Sequence, residues 1–199
     1  MPVQPPPSLL SSPITDGAYG SDRHGLICGF HFCAGQPGRP LTLEEAQQCL
    51  AATQQADNAG FIWLHFNLSD ASAEAWMQDR LPLPAEFFDA LHEGSRSTRI
   101  EDAADHLVAV VNDVAFEFSF EPSEIASLWL AVHPRLVVSA RTQPLRSVDR
   151  LRQAVKDGAL FGSPMALLNH LLHDQGDVLV RIVRDATLQV DAVEDNLQQ

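Results

Sequence analysis

Three small groups of side chains have the types and spacing to hold a metal ion. His31 and Cys33 stand two apart in the apolar run Leu26–Cys33, between Gly25 and Gly35. On a β-strand that spacing puts an imidazole and a thiol on one face, and both suit zinc. A zinc site takes three or four ligands, so the plainer reading is a small core cysteine beside a histidine at a sheet end. His170 and His173 stand three apart in a helical stretch, close enough to share one ion. Asp177, in the acidic stretch that follows, joins them as a candidate ligand; solvated helix residues are the plainer alternative. Asp102, Asp105 and His106 fall at a strand junction and read as a polar turn.

Other chemistry is missing from the pattern. There is no G-x-x-x-x-G-K-[ST] phosphate loop, no G-x-S-x-G nucleophile elbow and no H-E-x-x-H zinc helix. A zinc hydrolase built on His31, Cys33 and a distant third ligand ranks last among the readings, and no enzyme is expected. With 13 Lys and Arg against 26 Asp and Glu, the net charge is −13. That opposes binding to nucleic acid, where affinity comes largely from neutralising phosphates, and to anionic lipid. It is compatible with attracting cations. The 3 cysteines, Cys28, Cys33 and Cys49, form no C-x-x-C pair and read as reduced thiols of a cytoplasmic protein. No run of eighteen apolar residues, the length of a membrane-spanning helix, occurs.

The elements that must position these groups follow from periodicity. Residues 1–20, opening MPVQPPPSLLSS, read as a disordered proline-rich tail. Residues 21–162 read as one α/β domain. Leu26–Cys33 is a strand, and Leu43–Ala56 a helix opened by a Thr42/Glu45 capping box. Phe61–Leu68 is a strand rich in aromatic and branched residues. Short helices follow at Ala71–Arg80, capped by Ser69 and Asp70, and at Ala85–His92. Strands are expected at Ser97–Ala103 and His106–Phe120, the second with Val114, Phe116, Phe118 and Phe120 alternating with small or polar residues. Ile125–Val132 and Leu136–Ala140, linked by His133-Pro134-Arg135, are expected to form an antiparallel hairpin. Val148–Asp157 reads as a helix. The order implies an α/β/α layered domain with a mixed, largely antiparallel sheet.

Residues 163–199 read as one long amphipathic helix. Ser163 caps it, Pro164 suits its first position, and no glycine, proline or basic last turn ends it. Its apolar residues, Leu168, Leu171, Leu172, Leu179, Val183, Ala186, Val190, Val193 and Leu197, form a heptad-like seam. Asp174, Asp177, Asp185, Asp191, Glu194 and Asp195 outnumber Arg181 and Arg184. The bland reading is a solvated face. The sharper one is several copies of the helix around an axis, with rings of carboxylates that concentrate cations.

Read together, these segments resemble the CorA-type divalent-cation transporter superfamily, and within it the ZntB branch of zinc transporters. The resemblance runs from about Leu26 to Gln199. It is carried by Phe61-Ile62-Trp63-Leu64-His65-Phe66-Asn67-Leu68, similar to the family's Trp-x-His/Asn strand, and by the proline-led helix Leu83-Pro84-Ala85-Glu86-Phe87-Phe88-Asp89-Ala90-Leu91. Arg99-Ile100-Glu101-Asp102 with the strand His106–Val111, Glu124–Leu130 with Leu136–Ser139, and Leu167-Leu168-Asn169-His170-Leu171-Leu172 continue it. The family's Gly-x-Asn motif and both membrane helices are not in this stretch. The resemblance therefore implies a cytoplasmic N-terminal domain, at the inner membrane's cytoplasmic face, whose stalk helix continues past Gln199.

The resemblance further implies a homopentameric funnel below a pore. It also implies a regulatory divalent cation, zinc first, with magnesium, cobalt or nickel as alternatives. Asp89 matches the aspartate on the family's short helix that binds this ion between subunits. A free-standing metal-binding regulator or scaffold that oligomerises through its last helix is the alternative reading.

Overall fold

The computed structural model describes residues 22, 24–52, 60–93, 98–114 and 125–197. The tail at 1–20 and the Phe116, Phe118 and Phe120 alternation lie outside the described residues, as do the side chains of Val114, Asp185, Val190, Asp191, Val193, Glu194, Asp195 and Leu197. The elements run β1 (Leu26–Phe32), β2 (Arg39–Pro40), α1 (Leu43–Ala52), β3 (Phe61–Asn67), α2 (Ala73–Arg80), α3 (Ala85–Glu93), β4 (Arg99–Ala103), β5 (His106–Val114), β6 (Ile125–His133), β7 (Leu136–Arg141), α4 (Arg146–Lys156) and α5 (Pro164–Leu197).

The strands form one sheet in the order β2-β1-β3-β7-β6-β5-β4. The expected β6–β7 hairpin is present, with Leu130 opposite Ser139 and Val132 opposite Val137. Every pairing is antiparallel except β3 with β7, which run side by side with Trp63 against Val137 and His65 against Ser139. All of β7 is buried, and β3 is buried up to Phe66. Strands closed off on both faces need a layer of helices on each.

The alternation of side chains divides the core in two. Ile62, Leu64 and Phe66 of β3 and Leu136, Val138 and Ala140 of β7 pack with Ala46 of α1, Met77 of α2 and Phe87 of α3. Phe61, Trp63 and Val137 face the other way, onto Leu151 and Val155 of α4 and Leu167, Leu168 and Leu171 of α5. On this second side Phe32 stacks on Phe61 at 4.7 Å and takes the edge of Phe161 at 5.6 Å. The result is the α/β/α layering that the element order implied.

Local signals explain the boundaries. In the Thr42/Glu45 capping box, the Thr42 N–H donates to Glu45 Oε2 at 2.8 Å and the Glu45 N–H to Thr42 Oγ1 at 3.3 Å. The helix expected from Ala71 begins instead at Ala73, because Asp70 Oδ1 accepts from the Ser72 N–H at 2.9 Å and holds residues 70–72 in a turn. Gly60 leads into β3 at φ +74°, and a Cβ there would lie 1.9 Å from the Phe32 carbonyl oxygen. Gly158, at φ +90°, has open space around it.

Those two glycines separate backbone strain from steric collision. Gly158→Ala should cost only the left-handed penalty, about 1–2 kcal/mol. Gly60→Ala adds a clash that only movement of β1 against β3 relieves, and should cost roughly 3 kcal/mol or more. Urea denaturation of the two variants beside the parent chain measures the difference.

Candidate functional site

Helix α5 carries most of the candidate ligands. Its start is as expected: Ser163 Oγ accepts from the Ala166 N–H at 3.1 Å. Its 34 residues span about 50 Å, far longer than the strands beneath it. The inward stripe departs from the heptad seam read in the sequence. Leu168 and Leu171 are buried as expected, but the stripe then continues through Gln175 and Val178. Leu179 and Val183 point outward, with Val180 and Leu188, and Val183 is 64 % exposed. The helix thus has two apolar stripes, one against the sheet and one without a partner among the described residues. The buried positions Leu168, Leu171, Gln175 and Val178 themselves step by three and four, and Leu179 and Val183 belong to a second repeat offset from them by one residue, so the two stripes lie on different faces of the helix.

His170, His173 and Asp177 are spaced along this helix but do not converge. His170 Nε2 is 3.4 Å from Asp174 Oδ2, and its ring meets the edge of Phe161 at 5.4 Å. His173 and Asp177 are exposed. Asp89 is exposed on α3, which covers the opposite face of the sheet from α5. Among the described residues no three His, Cys, Asp or Glu side chains are gathered as a metal site. One copy of the chain therefore does not bring Asp89 and the α5 residues to a common ion.

The other two groups do meet partners. His31 Nε2 on β1 and Cys33 Sγ just after it lie 3.9 Å apart, and among the described residues no third His, Cys, Asp or Glu completes a metal site with them. The Asp105 turn is tied to a residue that sequence reasoning placed only in a hairpin link. Asp105 Oδ1 accepts from His106 Nδ1 at 2.7 Å, and Asp105 Oδ2 lies 3.4 Å from His133 Nε2. His133 Nδ1 accepts from the Arg135 N–H at 3.2 Å, which leaves Nε2 as the protonated nitrogen facing the carboxylate. The two imidazoles pack at 4.9 Å. Burial first, then the His106 ring, hold His133 below the ordinary imidazole range, while the His106 bond keeps Asp105 ionised. No signal in the linear sequence joins His133 to Asp105, because the contact crosses between two hairpin turns.

The Trp63-Leu64-His65 segment proves to be the anchor of the buried interior. Trp63 Nε1 donates to Ser139 Oγ at 2.8 Å, and that hydroxyl lies 2.8 Å from His65 Nδ1. The Ser139 hydroxyl thus bridges the two rings, and His65 Nε2 has no partner among the described residues. Burial, reinforced by the charges of Arg141 and Arg152, keeps His65 well below its usual pKa, and so neutral. Cys28 shares this layer. Its thiol is pushed up to about 12, chiefly by desolvation and against the pull of Arg152, so it is inert. Asp113 accepts from the Ser147 N–H at 3.1 Å and from its hydroxyl, pinning the start of α4 to β5. Gln175 Nε2 donates to the Asn112 carbonyl, pinning α5 to the same strand.

This domain matches the family model described as CorA-like Mg2+ transporter protein over residues 58–199. The chain belongs to the CorA-like family. The divalent cation transporter CmaX of Pseudomonas aeruginosa is 28% identical over 183 residues, 89% of this chain and 53% of that protein. The structure of full-length CmaX superposes with a TM-score of 0.74 at 26% identity, over 87% of this chain and 52% of that one. The chain thus spans about half the length of these CorA-like relatives. The ZntB cytoplasmic domain from Vibrio parahaemolyticus shares the fold, with a TM-score of 0.62 at 16% identity over 81% of this chain and 63% of that one. So does the soluble domain of CorA from Methanocaldococcus jannaschii, at 0.59 and 13% over 85% and 63%. No helix among the described residues is long and apolar enough to cross a membrane.

The neutral His65 makes stability depend on pH. Unfolding returns it to an ordinary value near 6.5, where the unfolded chain takes up a proton that the fold refuses. Stability should therefore be level above that pH and fall as pH drops below it, by up to about 1.4 kcal/mol per unit for one such histidine. His133 adds in the same direction. His65→Asn should flatten the slope between pH 6.5 and 5, as read from urea midpoints across that range.

Proposed function

We propose that this chain is the cytoplasmic funnel and regulatory domain of a divalent-cation transporter at the bacterial inner membrane. It catalyses nothing. It gathers cations through its negative field, senses them between subunits and couples their occupancy to α5, the stalk helix. The observation that carries this reading is the division of α5. Its first half closes the core, and its second half offers the outward stripe Leu179, Val180 and Val183 in a stretch whose sequence is rich in acidic residues. An apolar stripe flanked by charge is how helices recognise one another. Five copies of the chain around an axis would bury those stripes and bring their carboxylates together.

In such a ring, Asp89 of one subunit would face its neighbour, which supports an ion shared between subunits. It also accounts for the scatter of Asp89, His170, His173 and Asp177 over one chain. The imidazoles of α5 favour zinc over magnesium, which prefers oxygen ligands and retains its water. Cobalt or nickel would suit the same donors. A ligand of this kind moves the helices only if it binds one arrangement more tightly than the other.

Sedimentation and calorimetry of the 199-residue chain with zinc chloride or magnesium chloride test the reading. A concentration-dependent pentamer is expected, tightened by zinc. Val183→Asp should return it to monomer without loss of folded helix content. Asp89→Ala should weaken zinc binding about tenfold or more. A stable dimer paired through α5 would point instead to a free-standing scaffold, and equal binding by parent and Asp89→Ala would remove Asp89 as a ligand.

A further inference from the structure

A cavity of about 440 Å³ opens at the end of the sheet where β6 turns into β7, on the side covered by α1 and α2. Its volume is that of a small-molecule pocket. The apolar part of its wall comes from Leu50 of α1, Leu81 just after α2, and Leu136 at the start of β7. Arg80 and Arg135 line the same space, with His133 between the two hairpin turns. Two arginines and one carboxylate, Asp79, therefore line one cavity in a chain of net charge −13, which leaves the cavity wall net positive.

The two arginines are not equivalent. Arg80 is held at its Nε by Asp79, its exposed sequence neighbour, at 2.9 Å. Arg135 is half-buried, and no carboxylate among the described residues pairs with its guanidinium. Its backbone is fixed at both ends of the peptide unit. The Arg135 N–H donates to His133 Nδ1 at 3.2 Å, and its carbonyl accepts from the Ile62 N–H at 3.0 Å. The guanidinium thus stands on a rigid turn beside an apolar wall, with its fork of donors committed to no carboxylate among the described residues. His133 is held below the ordinary imidazole range by burial first and then by the His106 ring, and its Nε2 faces Asp105, so it presents a polar wall rather than a second charge.

We propose that this cavity binds a small amphipathic oxyanion, a short-chain carboxylate or phosphate monoester, with its head on Arg135 and its chain on Leu50, Leu81 and Leu136. A planar guanidinium meets either headgroup through two parallel hydrogen bonds, which a lysine cannot reproduce. Arg80 at the rim adds attraction that its own pair with Asp79 partly offsets. The site is independent of any cation bound at α3 or α5, since it lies at the hairpin end and uses none of those residues.

Calorimetric titration of the full 199-residue chain with hexanoate and with hexyl phosphate tests this, with hexanol and inorganic phosphate as the halves of each probe. Saturable binding of at least one amphipathic anion is expected, tighter than either half alone. The stronger of the two identifies the headgroup. Arg135→Ala should weaken it about tenfold or more, and Arg135→Lys should recover only part of the loss. The turn's hydrogen bonds are made by the backbone, so neither variant removes them. Arg80→Glu, on an exposed side chain, should also weaken binding, and it guards against misreading a folding defect. Absence of saturable binding by both anions overturns the proposal. So does binding that Arg135→Ala leaves unchanged, or an affinity for hexanol equal to that for its charged counterparts.

Discussion

The fold depends on two adjacent strands, β3 and β7, that are covered on both faces. Their parallel pairing places Trp63, His65, Val137 and Ser139 on one side and Ile62, Leu64, Val138 and Ala140 on the other. A sheet whose centre is apolar on both sides cannot leave either side to water. Helices α1, α2 and α3 satisfy one face in the first half of the chain. The second face waits for α4 and the beginning of α5, so the last helix is part of the core before it is anything else. Removing the segment from Arg146 onward would expose Phe32, Trp63, Leu128, Leu130 and Val137 together.

That second face is also where the interior is polar. Ser139 bonds both Trp63 and His65, Asp113 bonds the start of α4, and the Asn112 carbonyl bonds Gln175. Buried polar groups add little net stability but cost heavily when left unpaired. They therefore select one seating for each helix among the many that apolar contact alone would accept. His65 contributes to that selection only while neutral, because a charged imidazole among Arg141 and Arg152 would be both desolvated and repelled. The family resemblance and the structural requirement thus coincide in Trp63-Leu64-His65. Those residues seat the sheet.

Much of this was legible in the residues. The capping box at Thr42, the Ser163 cap, the β6–β7 hairpin and the two-sided layering all have local causes, and local causes survive in a linear reading. The parallel register of β3 with β7 does not. Both strands are continuous apolar runs without a period of two, and some seventy residues separate them, so nothing in either names its partner. The seam of α5 was legible only in part. Heptad counting found the outward Leu179 and Val183 and joined them to the inward Leu168 and Leu171 as if one face held all four. The site was the least legible. Asp89 and the α5 histidines are easily listed as ligand types, but the layering places them on opposite faces of the sheet, and nothing in the linear order shows that. His133 was hidden for the opposite reason, since its partner Asp105 lies in the same chain but across a second turn.

The two stripes of α5 set how force could travel along it. Up to Val178 the helix is held by Leu167, Leu168, Leu171 and the Gln175 bond to β5, and moving it there would open the core. Past Val178 the large apolar side chains Leu179, Val180, Val183 and Leu188 are exposed, so among the described residues none of them ties that half to the sheet. A helix clamped at one end and free at the other responds at its free end to small changes in what surrounds it. Over the remaining turns, each rising 5.4 Å, a few degrees of tilt become a displacement of ångströms. The outer stripe therefore belongs to the part of the helix that the described packing holds least.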